Sequence, residues 1–547
     1  MPEERALTLY RNGSVYSAAD PFASAMLVDG GTVAWVGSEQ AAASLADDRM
    51  TVVDLDGALV APGFVDSHVH VTDTGLALSS LDLSAAASAA DLLDAVARAA
   101  EGLPDDAVLR GHGWDESRWA DPALPGAGQL ARAAGGRRMF LTRVDVHSAL
   151  VSADLARSAG TPVGHGEDSA LVVGKALHAA RAQTRPASAG ELERLHGLAL
   201  RHAASRGYVA LVEQAAPQLG GLEDLRLLLG REASTEPEVM AYWGQAVSSA
   251  DEAREVLDGL GVPVRGLAGD LNIDGSIGSR TALLSADYDD APGHRGTAFL
   301  SAEQIGAHLA ALSEIGAQGG FHVIGDAGLQ LALEGLRIAS DRVGQHAVRA
   351  AGHRLEHVEM AGDAEAAALA EYAVTVSAQP LFDAAWGHPG GLYEQRLGSR
   401  RAGMNPFIRF YSAGVPLAFG SDSPVCALSP WESVRACLRH SDPSQRISAR
   451  AAFLGHTRSG WRAARHPNPL MGQLAPGAPA SFAVWSADEL MVQVADERVQ
   501  AWSTDPRART PLLPALDTER LPECLLTVHE GRELFRSGDF PSGHPGS

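Results

Sequence analysis

Lysine is almost absent from this chain of 547 residues: among its 44 lysines and arginines, only Lys175 is a lysine. Codon bias in an Ala/Arg/Gly-rich genome is the plain reading of that skew. Cysteine is scarce too. Cys426, Cys437 and Cys524 are widely spaced and form no Cys-x-x-Cys pair, which excludes a disulfide framework and suits a reducing cytoplasm. Positive charge is in deficit, with 44 basic against 67 acidic residues and a net charge of −23. That balance argues against a nucleic acid or an anionic membrane as partner. No apolar run approaches the roughly 18 residues of a membrane span, and "MPEERALTLYRNG" carries no signal-like apolar stretch. The expectation is a soluble cytoplasmic protein that acts on a small molecule.

What is present is ordinary globular material, 46% apolar and 20% charged, in a chain too long for one simple core. Residues 1–57 read as short strands separated by Asn-Gly and Gly-Gly turns, and residues 470–547 read likewise. Two β-rich ends flanking a long middle can pair with each other in one small sheet domain. Between them, residues 58–469 alternate apolar runs ("YVALVEQ", "GGFHVIGD", "RLEHVEM", "AVTVSAQP", "GVPLAFGSDSP") with Ala/Leu-rich helices. Strand–helix alternation over such a span predicts an α/β fold with a parallel sheet, a (β/α)8 TIM barrel. A doubly wound sheet is disfavoured because no Gly-x-Gly-x-x-Gly follows the first strand. The region at about 80–200, with "RGHGWDESRWADPALPG" and "TRVDVHSALVSADLARSAG", reads as an inserted subdomain able to shape a pocket.

Several of these runs end in a metal-ligand residue type. "GFVDSHVH" ends with His68 and His70, one residue apart and on one face of a strand. His322, His357 and Asp422 close three later runs. A single histidine at a strand end is more often a satisfied polar residue than a ligand. Five such residues over four strand ends are hard to ascribe to chance, and imidazoles with a carboxylate are what a hydrolytic zinc site uses.

These residues sit in blocks that resemble the amidohydrolase superfamily, in particular its YtcJ-like group (amidohydrolase family 3), which includes N-substituted formamide deformylases. The blocks are "APGFVDSHVH", "NIDGSIGSRTA", "HVIGD", "RLEHV" and "GSDSPV", in that order, with "GWDESRW" and "RVDVHSALVS" resembling the group's inserted segment. The resemblance implies a metal-bearing barrel plus a small β-sandwich built from both termini, with His68, His70, His322, His357 and Asp422 as ligands and Asp422 also as general base. It implies hydrolysis of a non-peptide C–N bond, an amide or an N-formyl or N-acyl amine. Cyclic-amide hydrolysis and deamination share the same water activation, and a catalytically impaired ligand-binding homologue stays open. Zinc is the expected divalent metal, with Fe, Mn and Co able to occupy such a site.

One position departs from the group's pattern. Where binuclear members carry a bridging carbamylated lysine, the register here falls on Asp270, in "GDLNIDGS". Lys175 lies far upstream in a helix-like stretch. Either Asp270 replaces the carbamate as a ligand, or a single metal works with Asp422; Glu213 is a further carboxylate at a strand end. One or two ions are therefore both open. Trp114, Asp115 and His147 are expected by resemblance to line the pocket. Arg280 either grips a substrate carboxylate or carbonyl, or pairs with a structural acid.

Overall fold

The computed structural model describes residues 7–159, 170–185, 188–231, 235–493, 502–503 and 510–545. The protein is α/β. Its middle holds eight parallel strands: β1 (Phe64–Val69), β2 (Tyr208–Ala215), β3 (Glu238–Trp243), β4 (Gly266–Leu267), β5 (Gln318–Val323), β6 (Arg354–His357), β7 (Thr375–Ala378) and β8 (Leu417–Phe419). They form two arcs, ordered β3-β2-β1 and β4-β5-β6-β7-β8. Backbone hydrogen bonds join the arcs at both ends. Asp422 N–H donates to His68 O (2.8 Å) and His70 N–H to Ser423 O (3.0 Å), while Arg265 N–H reaches Ala241 O (2.7 Å).

Every residue of β2 is buried, as expected of a parallel strand covered on both faces. Helices such as Ala250–Leu260, Ala302–Glu314 and Asp363–Glu371 separate successive strands. β3 is missing from the runs picked out of the sequence. Its apolar stretch is short, follows Pro237 directly and stops at Gly244, so it stands out little from a loop. The apolar segment "VRGLAGDLNIDG", residues 264–275, forms only the two-residue β4.

The two ends of the chain meet in two five-stranded sheets. In one, Leu59–Pro62 pairs with Phe482–Ser486, which pairs with Glu523–His529; in the other, His544–Pro545 pairs with Met50–Asp54. Apolar side chains from both ends, among them Tyr10, Val53, Phe482 and Leu526, share one core. Pairing of Leu59–Pro62 means that the chain leaves this layer only just before Phe64. The Phe64 ring then packs edge-on against Trp431 (5.1 Å), Phe453 (5.4 Å) and Trp485 (5.6 Å). That cluster anchors the strand carrying His68 to the terminal layer. A further five-stranded sheet, from Leu81–Asp82 to Leu171–Val173, has its own core beneath helix Ala89–Glu101. Among the described residues, no helix is long and apolar enough to cross a membrane.

Candidate metal centre

Strand alternation places Asp66 and His68 of β1 on one face, and His70 follows at the start of helix α1 (Val71–Leu78). His68 Nε2 lies 3.3 Å from Asp422 Oδ1 and 3.7 Å from Asp270 Oδ1. His70 Nε2 lies 3.3 Å from Asp422 Oδ1 and 3.4 Å from Asp270 Oδ2. The rings of His68 and His357 stand 4.9 Å apart, and those of His322 and His357 4.5 Å apart. His322 Nδ1 approaches Asp270 Oδ1 at 4.0 Å. Two three-donor sets share His68: His68 with His70 and Asp422, and His68 with Asp270 and His357.

Two backbone irregularities make this convergence. His357 (φ +69°) and Asp422 (φ +55°) occupy the left-handed region, which is strained for residues with a Cβ and recurs at functional sites. In β6, Glu356 and His357 are neighbours that regular alternation would send to opposite faces. Yet Glu356 bonds His68 directly, and the His357 ring packs beside the same imidazole.

Three of the four histidines have their outer nitrogen engaged. His68 Nδ1 meets Glu356 Oε2 (2.8 Å), His357 Nδ1 meets Gln379 Oε1 (2.7 Å), and His322 Nε2 faces Gly275 O (3.3 Å). Such contacts fix the tautomer and leave the inward nitrogen free to donate to a metal. Glu356 is itself held by Arg354 Nε (2.5 Å) and Nη2 (2.7 Å), both residues being fully buried. Burial alone would raise the Glu356 pKa, but Arg354 and His68 hold it at about 2. The inward atoms have no such partners: His68 Nε2 and Asp270 Oδ1 are buried without any hydrogen bond. Orphaned donors of this kind fit a cation at the centre of the cluster.

Charge within the cluster is strongly coupled. Burial disfavours the imidazolium of His70, but Asp270 and Asp422 outweigh it and lift the pKa to about 9. Burial also opposes the Asp422 carboxylate, yet His68 and His70 keep it well below the carboxylate range. His357 falls to about 4 through burial and the neighbouring His68. A folded-state His70 pKa above the unfolded value of about 6.5 gives stability that is full below pH 6.5 and lost as pH rises through 9. In chelator-treated protein, the stability advantage of wild type over His70→Gln should shrink by roughly 3 kcal/mol between pH 6 and pH 9.5. Urea unfolding at the two pH values reads this difference, and an unchanged gap would contradict the pairing.

Two of the cavities bordering the cluster bear on its chemistry. One, of ≈ 330 Å³, is bordered by His70 and Asp270. The other is a recess of ≈ 20 Å³ beside His322, His357 and Asp422, walled by Phe382, Trp386 and Tyr393. His147 borders both, its ring 5.2 Å from that of His322.

Residues 51–535 match the model of the amidohydrolase family. The chain belongs to that family. This amidohydrolase is 25% identical to the protein LONG AFTER FAR-RED 3 of Arabidopsis thaliana, over 88% of this chain and 87% of the relative. It is 25% identical to the putative amidohydrolase YtcJ of Bacillus subtilis, over 89% and 96% of the two chains. Identity to the N-substituted formamide deformylase of Arthrobacter pascens is 23%, over 77% and 81%. In fold it resembles a metal-dependent hydrolase of Pyrococcus horikoshii, with a TM-score of 0.69 and 24% identity over 88% of this chain and 98% of that one.

Two residues expected at the pocket of this amidohydrolase, Trp114 and Asp115, lie elsewhere, and Arg280 takes the second of its two expected roles. Trp114 is buried in the core of the inserted sheet, its Nε1 donating to Leu141 O (2.9 Å). Asp115 caps a short helical turn and pairs with Arg143 (2.8 Å). It touches the site only through a buried chain, because Arg143 also approaches Asp145, which accepts from Ser276 Oγ (2.6 Å). Arg280 makes a two-point pair with Asp290 (2.6 and 3.1 Å) and borders neither cavity. Glu213 binds the Val71 amide (2.7 Å) at the start of α1.

Other residues at the site escaped the sequence reading. Glu356, Arg354 and Gln379 support the histidines, and the carboxylate beside His357 in "RLEHV" was the one signal available. Glu359, bonded to the Tyr393 hydroxyl (2.5 Å), borders the recess. Asp274 accepts the amides of Ile324 and Gly325, so it fixes the turn after β5.

Proposed function

We propose that this amidohydrolase is a divalent-metal-dependent hydrolase of a non-peptide C–N bond, an N-formyl or other short N-acyl amine. The observation that carries the reading is the convergence of His68, His70, His322, His357, Asp270 and Asp422 beside two cavities of unequal size. The eight parallel strands are read as a (β/α)8 barrel with an insertion at about 80–200 and a terminal β-sandwich. The backbone bonds joining the two arcs at both ends support that closure.

Imidazole nitrogens and carboxylate oxygens are donors that suit zinc. His68, His70 and Asp422 would hold an ion, and Asp270 with His357 offers further donors to the same or a second one. Asp270 thereby stands in for the carbamylated lysine of related sites. A bound divalent ion supplies Lewis acidity and lowers the pKa of water near it. The protein does the rest. Asp422, held anionic, accepts the proton of the attacking water and passes it to the departing nitrogen. Glu356 and Gln379 keep His68 and His357 aimed inward. The aromatic recess admits little more than a water-sized group, which favours a small acyl portion there and leaves the larger cavity to the amine. The name of the Arthrobacter pascens relative, a deformylase of N-substituted formamides, agrees with that division.

Elemental analysis tests the reading first. The purified protein should contain one or two equivalents of transition metal. Chelation should abolish hydrolysis of N-formyl amines, and zinc should restore it. Lengthening the acyl group from formyl to butyryl should lower kcat/KM stepwise. A protein without bound metal, or activity that survives chelation, would overturn the proposal.

A further inference from the structure

The wall of the larger cavity opposite the metal cluster is one helix, α2 (Gly174–Thr184), which presents Lys175, His178 and Arg181 to it at three-residue spacing. These positions share a helix face. Arg181 is only 7% exposed. Its one hydrogen bond among the described residues runs from Nη2 to Val146 O (3.0 Å), and no described carboxylate lies within ion-pair distance of it. Asp73 of α1 borders the same cavity and acts on Arg181 electrostatically, but its ion pair is with Arg185 (3.2 Å). Asp270, across the cavity, faces the histidine cluster.

None of the other Arg181 nitrogens is sealed from solvent, so its unclaimed donors open on the cavity, where an anionic ligand can take them. Two further features carry the same sign. Lys175, the only lysine of the chain, stands exposed at the cavity rim. The first turn of α2, where Gly174 and Lys175 line the cavity, has no side-chain cap on its free N–H groups, and a helix start of this kind favours anions. The remaining wall is largely apolar, with Leu177, Leu219, Phe299 and Leu300.

Resting on the reading of the site as an amide hydrolase, we infer that the amine portion of the substrate is an apolar fragment bearing a carboxylate, which Arg181 and Lys175 bind. Arg181 offers planar paired donors that match a carboxylate. Lys175 adds a second charge at the entrance, and the apolar wall takes the fragment between carboxylate and scissile nitrogen. Substrate choice within this amidohydrolase is then set by α2, a part of the chain remote in sequence from every metal-ligand motif.

Calorimetric binding to the full-length protein as purified tests this with two probes of matched shape, 4-phenylbutyrate and neutral 4-phenylbutanamide. The carboxylate should bind at least about tenfold more tightly. Arg181→Met should abolish that preference, Arg181→Lys should keep part of it, and Lys175→Met should reduce it two- to threefold. Equal affinity of the two probes overturns the inference. So does a preference that persists in Arg181→Met, which would place the carboxylate on the metal instead. If Arg181→Met does not fold, an unchanged preference in Lys175→Met, a substitution of an exposed side chain, is decisive against it. Arg181-dependent carboxylate binding without any amide hydrolysis would leave this inference standing and sink the hydrolase reading. Hydrolysis of neutral formamides with no charge preference would do the reverse.

Discussion

Asp422→Asn is expected to lower kcat for amide hydrolysis by about 10²- to 10⁴-fold while the fold persists. Asparagine matches aspartate in shape and is among the few residues that tolerate the left-handed backbone found here at φ +55°. The substitution therefore removes charge and basicity with little added strain. The carboxylate oxygen sits 3.3 Å from the inward nitrogens of both His68 and His70. An amide there neither accepts a proton from water nor returns one to the leaving nitrogen. Measuring metal content beside kcat separates the two ways of losing activity. Full metal occupancy with a collapsed kcat identifies the proton acceptor, whereas loss of metal identifies a ligand. A variant that keeps its metal and most of its kcat would remove Asp422 from the mechanism.

Arg354→Met is expected to have the largest effect on stability, a loss of about 3–5 kcal/mol. Arg354 is fully buried, forks onto Glu356, donates to Ser67 O (2.9 Å) and lies 4.6 Å over the Tyr242 ring. Methionine fills similar volume but leaves Glu356 as a buried carboxylate with His68 as its remaining partner. The Glu356 pKa then climbs from about 2. Once protonated, Glu356 donates towards His68 Nδ1 and drives the imidazole proton to the inward nitrogen, which opposes metal binding. Metal affinity should fall about 10–100-fold. Arg354→Lys, which restores charge without the two-point fork, should recover part of both losses. Urea unfolding and competition with a metal chelator read the two effects. Unchanged stability would mean that the buried pair contributes nothing net.

His68 and His70 show how far local rules reach. Alternation in "FVDSHVH" is enough to put Asp66 and His68 on one face, and recurrence of ligand residue types at later strand ends points to a shared metal site. His357 shows where the rules stop. Its side chain reaches the cluster only because its backbone leaves the strand conformation, and residue type does not announce that. The same holds for Asp270, which follows a strand of only two residues. Trp114 and Asp115 mark the opposite error: motif-like surroundings suggested a pocket, but each satisfies its polar group within its own layer, through Leu141 and Arg143. For Arg280 the sequence left two roles open, and the structure shows the pair with an acid, Asp290.

By itself the sequence determined most of the ordered series of strands and helices, the β-rich character of both ends and the residue types of a candidate metal site. Those follow from side-chain periodicity and donor chemistry, which are properties of neighbouring residues. Only the tertiary structure decided that Asp270 stands among the histidines, that Glu356 and Arg354 support them, and that Arg181 lies beside a cavity with no carboxylate at ion-pair distance among the described residues. Each of these depends on the packing of segments tens to hundreds of residues apart. Which polar atoms are left without a partner there is set by the whole packed chain, and no short stretch of sequence records it.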